Sequence, residues 1–320
     1  MTPWGVRKKT ATAAFLLACS LLGGCSLSPL AKHTVAFSKA TDLVTGGSED
    51  AYRKAIALRH EEQVAAAVYA YDKDPHWSPY QDFDPLLSSE QLEARVKILD
   101  GLKTYADTLV KLTNRKDPSK DLTSAAEAAG TNLQGLNKTL ATDLATSIPN
   151  APVMSDSVAH GVSTAVLALG DYLINRKTRR SLREVTQQMN PHVETLCSLL
   201  SSDVTVLRRQ ADVDYQALVI DQDQFIRHSK LSAVEHRDEV GKLIVITEDQ
   251  KANDELLAKL DKAVKALATA HQSLTDAAAT KDTETLKQKI ADLETAGQEL
   301  GSFYSSLSAK AKTPTTATAN

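Results

Sequence analysis

Leu256-Leu257-Ala258-Lys259-Leu260-Asp261-Lys262-Ala263-Val264-Lys265-Ala266-Leu267-Ala268-Thr269-Ala270-His271-Gln272-Ser273-Leu274, residues 256–274, decides the fold class. Leu257, Leu260, Val264, Leu267, His271 and Leu274 recur at alternating steps of three and four, and so do Leu286, Ile290, Leu293, Gly297, Leu300, Tyr304 and Leu307. Such a heptad seam belongs to helices that pack side by side. The stretch 279–283 reads as a turn, so residues 241–308 are predicted to form an antiparallel, coiled-coil-like helical hairpin. With the turn near residue 280, partners have numbers summing to about 560. That register pairs Leu260 with Leu300, Leu267 with Leu293 and Leu274 with Leu286, sets Val264 over Gly297, and leaves His271 at the core edge against Ile290.

Upstream of this hairpin, no proline interrupts the chain between Pro191 and Pro314, and glycine occurs there only at 241, 297 and 301. Long helices follow from that spacing. Val193, Leu196, Leu200, Val204, Leu207, Ala211, Leu218 and Phe225 mark one face of a helix that starts at Asn190-Pro191 and reaches His228, ~55 Å if unbroken. Ser232-Ala233-Val234-Glu235 matches a capping box, so the helix direction should change within 229–241. Leu243-Ile244-Val245-Ile246 reads as buried, which packs the hairpin partly on the body.

The body, 32–240, reads as helix punctuated by proline. A first helix is expected over 32–71, with Gly46-Gly47 leaving its continuity open. Three prolines within 75–85 force a loop. It carries Trp77, Tyr80 and Phe83 in a chain with only 5% aromatic residues, so it is either a binding loop or a plug over the open end of a helical bundle. Ser88 with Gln91 caps a second helix running to about residue 114. Asp117-Pro118 starts a third, ended by Pro149 and Pro152. A fourth, from Ser155 or Ser157 to Met189, is almost free of charge over 158–169, and Gly161 with Ala165 invites close approach of a neighbour. Charges at Asp171 and Arg176–Arg180 arrive too soon for a bilayer span, which favours a core helix. The fold class is therefore all-α: an elongated bundle of long antiparallel helices, then the hairpin, then a disordered tail over 309–320.

Chemistry is hard to find. The eight histidines form no His-Glu-x-x-His or paired Glu-x-x-His motif, and there is no Cys-x-x-Cys-His, glycine-rich phosphate loop or Gly-x-Ser-x-Gly. No cofactor or metal and no catalytic residue is expected, and the reading is of a non-enzyme. Cys197, in an apolar helical stretch, reads as a buried thiol.

The amino terminus supplies an address. Arg7, Lys8 and Lys9 precede an apolar run, and Leu22-Gly23-Gly24-Cys25 closes it with small residues before a cysteine. The run is too short to span a bilayer and is signal-like. The segment resembles the signal peptide and lipobox of bacterial lipoproteins. That resemblance implies cleavage after residue 24 at the Leu22, Gly23, Gly24 motif, lipidation of Cys25, and a short tether over 25–31. Cys19 is the poorer candidate, because Leu17 stands where a small residue is usual. Ser26, by the same resemblance, favours outer-membrane sorting over inner-membrane retention. Without residues 1–24, which hold three basic residues and no acidic one, 34 Lys and Arg face 40 Asp and Glu, a net −6. Nucleic acid is not an expected partner of so acidic a body. The expected partners are the membrane, through the lipid, and an envelope protein or a second copy. A helical scaffold or partner-binding module leads; a pore-forming helical protein and a small-molecule carrier are the alternatives.

Overall fold

The structure is a computed structural model that describes residues 29–74, 76, 83–113, 120–136, 156–175, 181–280 and 283–311. These residues form seven helices: α1 (Pro29–Lys73), α2 (Ser89–Thr113), α3 (Lys120–Leu136), α4 (Asp156–Asn175), α5 (Leu182–His228), α6 (Ala233–Thr280) and α7 (Glu284–Ala311). No strand occurs among them. The all-α expectation holds.

α1, α5 and α6 are each ~70 Å long at 1.5 Å per residue. α1 and α5 run parallel, tied by Arg59 to Asp214 at 3.0 Å and by the Tyr69 hydroxyl, which donates to Gln224 at 2.7 Å. α6 returns antiparallel to α5. Thr275 donates to the Thr186 carbonyl, Asn190 to Gln272, Ser201 to Asp261, Arg208 to Asp254, Gln250 to Asp212 and Gln222 to Glu239. The α5–α6 pair is the spine of the molecule. The hairpin expected over 241–308 begins earlier than its period implies: α6 starts at Ala233, and the expected boundary at 240/241 falls inside it.

The turn is where the capping box puts it. Ser232 N–H donates to Glu235 and Glu235 N–H to the Ser232 hydroxyl, which starts α6 just after α5 ends at His228. Ser88 and Gln91 exchange the same pair of bonds at the start of α2. The break expected at Asn190-Pro191 is absent. α5 begins nine residues earlier at a capping box of Ser181 and Glu184, and Pro191 lies inside the helix on its exposed side. Pairing along α6 outweighs the single lost backbone bond. The fourth helix accordingly stops at Asn175 and does not reach Met189.

α1 is unbroken through Gly46-Gly47 and begins at Pro29, so the tether expected over 25–31 is shortened, and α7 keeps residues 309–311 helical within the expected tail. In the C-terminal hairpin the Lys262–Glu299 ion pair, 3.1 Å, fits the expected register, and Leu260, Leu267, Leu274, Leu286, Leu293 and Leu300 are all buried. Gly297 also meets α1, where a Cβ would stand 3.2 Å from Leu43. One detail differs. His271 is fully buried toward α2 and α5 and is no edge residue. α3 and α4 cross at Gly130 and Gly170, not at Gly161: a Cβ at Gly130 would come within 2.9 Å of the Gly170 carbonyl oxygen, whereas one at Gly161 would meet only Thr195 at 3.9 Å. α4 buries Val162, Ala165, Val166, Leu169 and Leu173 in the common core.

Two buried polar sets fix the helices at their levels. Arg95 of α2 donates Nε and Nη2 to the two oxygens of Asp203 on α5, at 2.8 and 3.1 Å, and the Tyr52 hydroxyl of α1 donates to the same carboxylate at 2.6 Å. Burial opposes the Arg95 charge and Asp203 more than offsets it, so the guanidinium pKa is raised; burial and the carboxylate also push Tyr52 well up, keeping it a neutral donor. In the second set, the Asn190 amide donates to Gln272, which leaves its oxygen to accept from His271 Nδ1–H at 2.8 Å; Nε2 then accepts from the Tyr105 hydroxyl at 2.8 Å.

Removing one partner of a buried ion pair strands the other. Arg95→Ala is expected to cost about 3–5 kcal/mol, and the apolar double variant Arg95→Met/Asp203→Leu less than either single one, read from urea unfolding. Burial lowers the His271 pKa from the ordinary 6.5 to about 3. The folded state thus refuses a proton that the unfolded chain accepts. This contribution to stability is whole above pH 6.5 and is lost as the pH falls toward about 3. Between neutral pH and about pH 4 the wild type should lose more stability than His271→Gln does, measured as urea midpoints.

Candidate functional site

α1 past Leu58, α5 past Ala211 and α6 before Asn253 continue beyond the start of α2 as a distal three-helix arm. Its base is closed by a small cluster of Leu58, Ala211, Tyr215 and Leu218, with Ala65 and Ile246 against it. Beyond that cluster lies a groove of about 1160 Å³. Val64 and Val68 of α1, Leu218 and Phe225 of α5, and Val245 and Ile246 of α6 supply its apolar lining, and Gln222, Gln224 and Tyr69 its polar interior. Val68 is 59% and Val245 54% exposed. Single exposed apolar residues are ordinary, but a contiguous set at the end of an arm is a binding feature.

The rim is mostly acidic, with Glu61, Asp221, Asp238, Glu239 and Asp249 against Lys73, Arg237 and Lys242. Glu239 is held by Lys242 at 2.8 Å and by Gln222, and these bonds lower its pKa. Burial raises the Asp221 pKa from its ordinary value. Beneath the groove, Arg59 bridges Asp214 at 3.0 Å and Glu62 at 2.9 Å, and Gln210 donates to Asp214 at 2.8 Å. Arg59 Nε and Asp214 Oδ2 are buried without a hydrogen-bond partner among the described residues. Glu62 is pushed up by burial, with Asp214 and Asp221 adding to it against Arg59.

The residues singled out in the sequence fall elsewhere. Leu22, Gly23, Gly24 and Cys25 lie outside the described residues, as do Trp77 and Tyr80. Phe83 is exposed, stands edge-on to His60 with centroids 5.5 Å apart, and does not line the groove. Cys197 is buried and its thiol is pushed up to about 12 by burial, with Glu194 adding to it. No group of three or more His, Cys, Asp or Glu suited to a metal occurs among the described residues. The sequence does not reveal the groove, because Phe225 and Leu243–Ile246 fall on faces that read as buried. Ile244 and Val245 are in fact exposed, since no helix among the described residues covers α6 there. The signal was present as apolar positions on three helices running past the last residue that α2 can reach.

Comparison with known protein families, curated proteins and solved structures finds no match. If the groove residues serve binding and not folding, Val68→Ser and Val245→Ser should each change stability by no more than ~0.5 kcal/mol. Leu218→Ala, in the closing cluster, should cost about 2–3 kcal/mol. Thermal or urea unfolding of the three variants separates the two classes.

Proposed function

We propose that the protein is a lipid-anchored spacer of the bacterial cell envelope, non-catalytic, that holds its distal groove away from the membrane to dock an apolar helical face of an envelope protein. One observation carries the reading: the groove opens at the end of α1 opposite to Pro29, four residues after Cys25. Helical rise from Pro29 to the groove residues 61–73 is roughly 50–65 Å. A lipid on Cys25 would hold the near end at the bilayer, because chains of about sixteen carbons at ~0.8 kcal/mol per buried methylene dominate attachment. In a Gram-negative cell, Ser26 fits an outer-membrane address facing the periplasm. The described residues from Phe37 to Leu300 already form a contiguous core, which supports anchoring and folding as separable properties.

A pore-forming reading rests on Ser157–Ile174, which is long and apolar enough to cross a membrane, with 39% of it buried. Its fully buried face is already engaged in the common core, which favours the spacer. Fractionation decides between them. Cys25→Ser should abolish labelling by a palmitate analogue and release folded protein from membranes, while Cys19→Ser should leave both unchanged. Retention of the Cys25→Ser protein at high salt would overturn the lipid-anchor reading and point to Ser157–Ile174.

A further inference from the structure

The distal arm is where this chain keeps its negative charge. Residues 58–74 and 211–250 hold 13 Asp and Glu against 6 Lys and Arg, a net −7, while the whole chain amounts to −3. At the rim of the groove, Glu61, Asp221, Asp238 and Asp249 form no ion pair among the described residues. Two of the three cations there are already engaged: Lys242 pairs with Glu239, and Lys73 lies 4.0 Å over the Tyr69 ring. Carboxylates without an ion-pair partner around an apolar trough, Asp249 sensing the charge of Lys54, define a complement that is apolar along its centre and cationic along its edges.

Shape narrows the complement further. The α1 wall from Glu61 to Lys73 is ~18 Å long, a little over three helical turns. The α6 wall is low at Gly241, where a Cβ would meet nothing within 4 Å. The volume exceeds the ~300–1,000 Å³ of ordinary small-molecule pockets. A fourth helix laid along the three would fill such a trough with anchors at i, i+3 or i+4, and i+7.

We propose that the groove takes a basic amphipathic helix of a partner protein, its apolar stripe on Val64, Val68, Phe225 and Val245 and its Lys or Arg side chains against Glu61, Asp221, Asp238 and Asp249. This rests on the reading of the arm as a docking end. A second copy is the poorer occupant, because its own groove region carries the same −7. Anionic lipid is repelled for the same reason.

The test uses the full chain in nanodiscs of neutral lipid and two fluorescent peptides of about 18 residues, amphipathic Leu/Lys and Leu/Glu helices with identical apolar faces. Anisotropy should show the Leu/Lys peptide binding, with the Leu/Glu peptide at least roughly tenfold weaker and added salt weakening the former. Gly241→Leu, which fills the trough from open space, should weaken binding roughly tenfold with helicity and melting temperature maintained. Asp221→Asn/Asp249→Asn should also weaken it. Failure of the Leu/Lys peptide to bind, equal binding of the two peptides, or indifference to Gly241→Leu overturns the proposal. A photo-crosslinker at Val68 in cells tells which reading fails. Attachment to a basic amphipathic helix supports both, attachment to an acidic or non-helical segment of an envelope protein overturns only the helix chemistry, and attachment solely to lipid or a second copy overturns the docking function as well.

Discussion

The antiparallel pairing of α5 with α6 is the constraint on which the remaining packing depends. Its side-chain bonds hold one register from Thr186–Thr275 at one end to Gln222–Glu239 at the other, without a slip across Pro191. Because the register is constant, a single turn at Ser229–Ser232 fixes the height of every group on both helices. Asp203 thereby comes level with Arg95 and Tyr52, and His271 level with Tyr105 and Asn190. α1 joins as a third long member, parallel to α5, and α2, α3, α4 and α7 cover only part of the length. The uncovered remainder is the arm.

The buried polar groups have a role that leucines alone cannot fill. A heptad seam of leucines tolerates slippage by one heptad with modest loss, whereas displacement of Arg95 from Asp203 would leave a charge in the core without a partner. The same argument applies to His271, whose two ring nitrogens are both satisfied only at the observed height. These contacts sit in the covered part of the rod. Beyond them the packing thins to Leu58, Ala211, Tyr215 and Leu218, and apolar surface is left facing water.

Period and punctuation made much of this legible. The three-and-four spacing identified the helices, and the capping boxes at Ser88 and Ser232 gave their starts within a residue. What misled was local evidence weighed without tertiary context. Asn190-Pro191 carries the chemistry of a helix start, yet the pairing with α6 on both sides of it, from Thr186 to Gln222, carries the helix through it. The Ser181–Glu184 box, an equally good signal, was passed over because the basic run before it looked continuous with the helix. The choice of α7 as the main partner of α6 followed from the cleanest periodicity, but α5 offers a longer matching face. Exposure at Val64, Val68 and Val245 was invisible because apolar periodicity says which face would be buried if a neighbour existed, not where the neighbours stop.

The central claim is that one rigid rod separates the membrane-proximal end from the groove. Spin labels at Lys32→Cys and Val234→Cys, both exposed positions, test it most directly in the Cys19→Ser/Cys25→Ser chain, since the high thiol pKa and burial of Cys197 keep it from competing. Val234 sits near the level of α1 residue 72, so pulsed dipolar spectroscopy should give one narrow distribution near ~60 Å. A broad distribution centred well below that would mean that the arm folds back on the body, and would contradict the account.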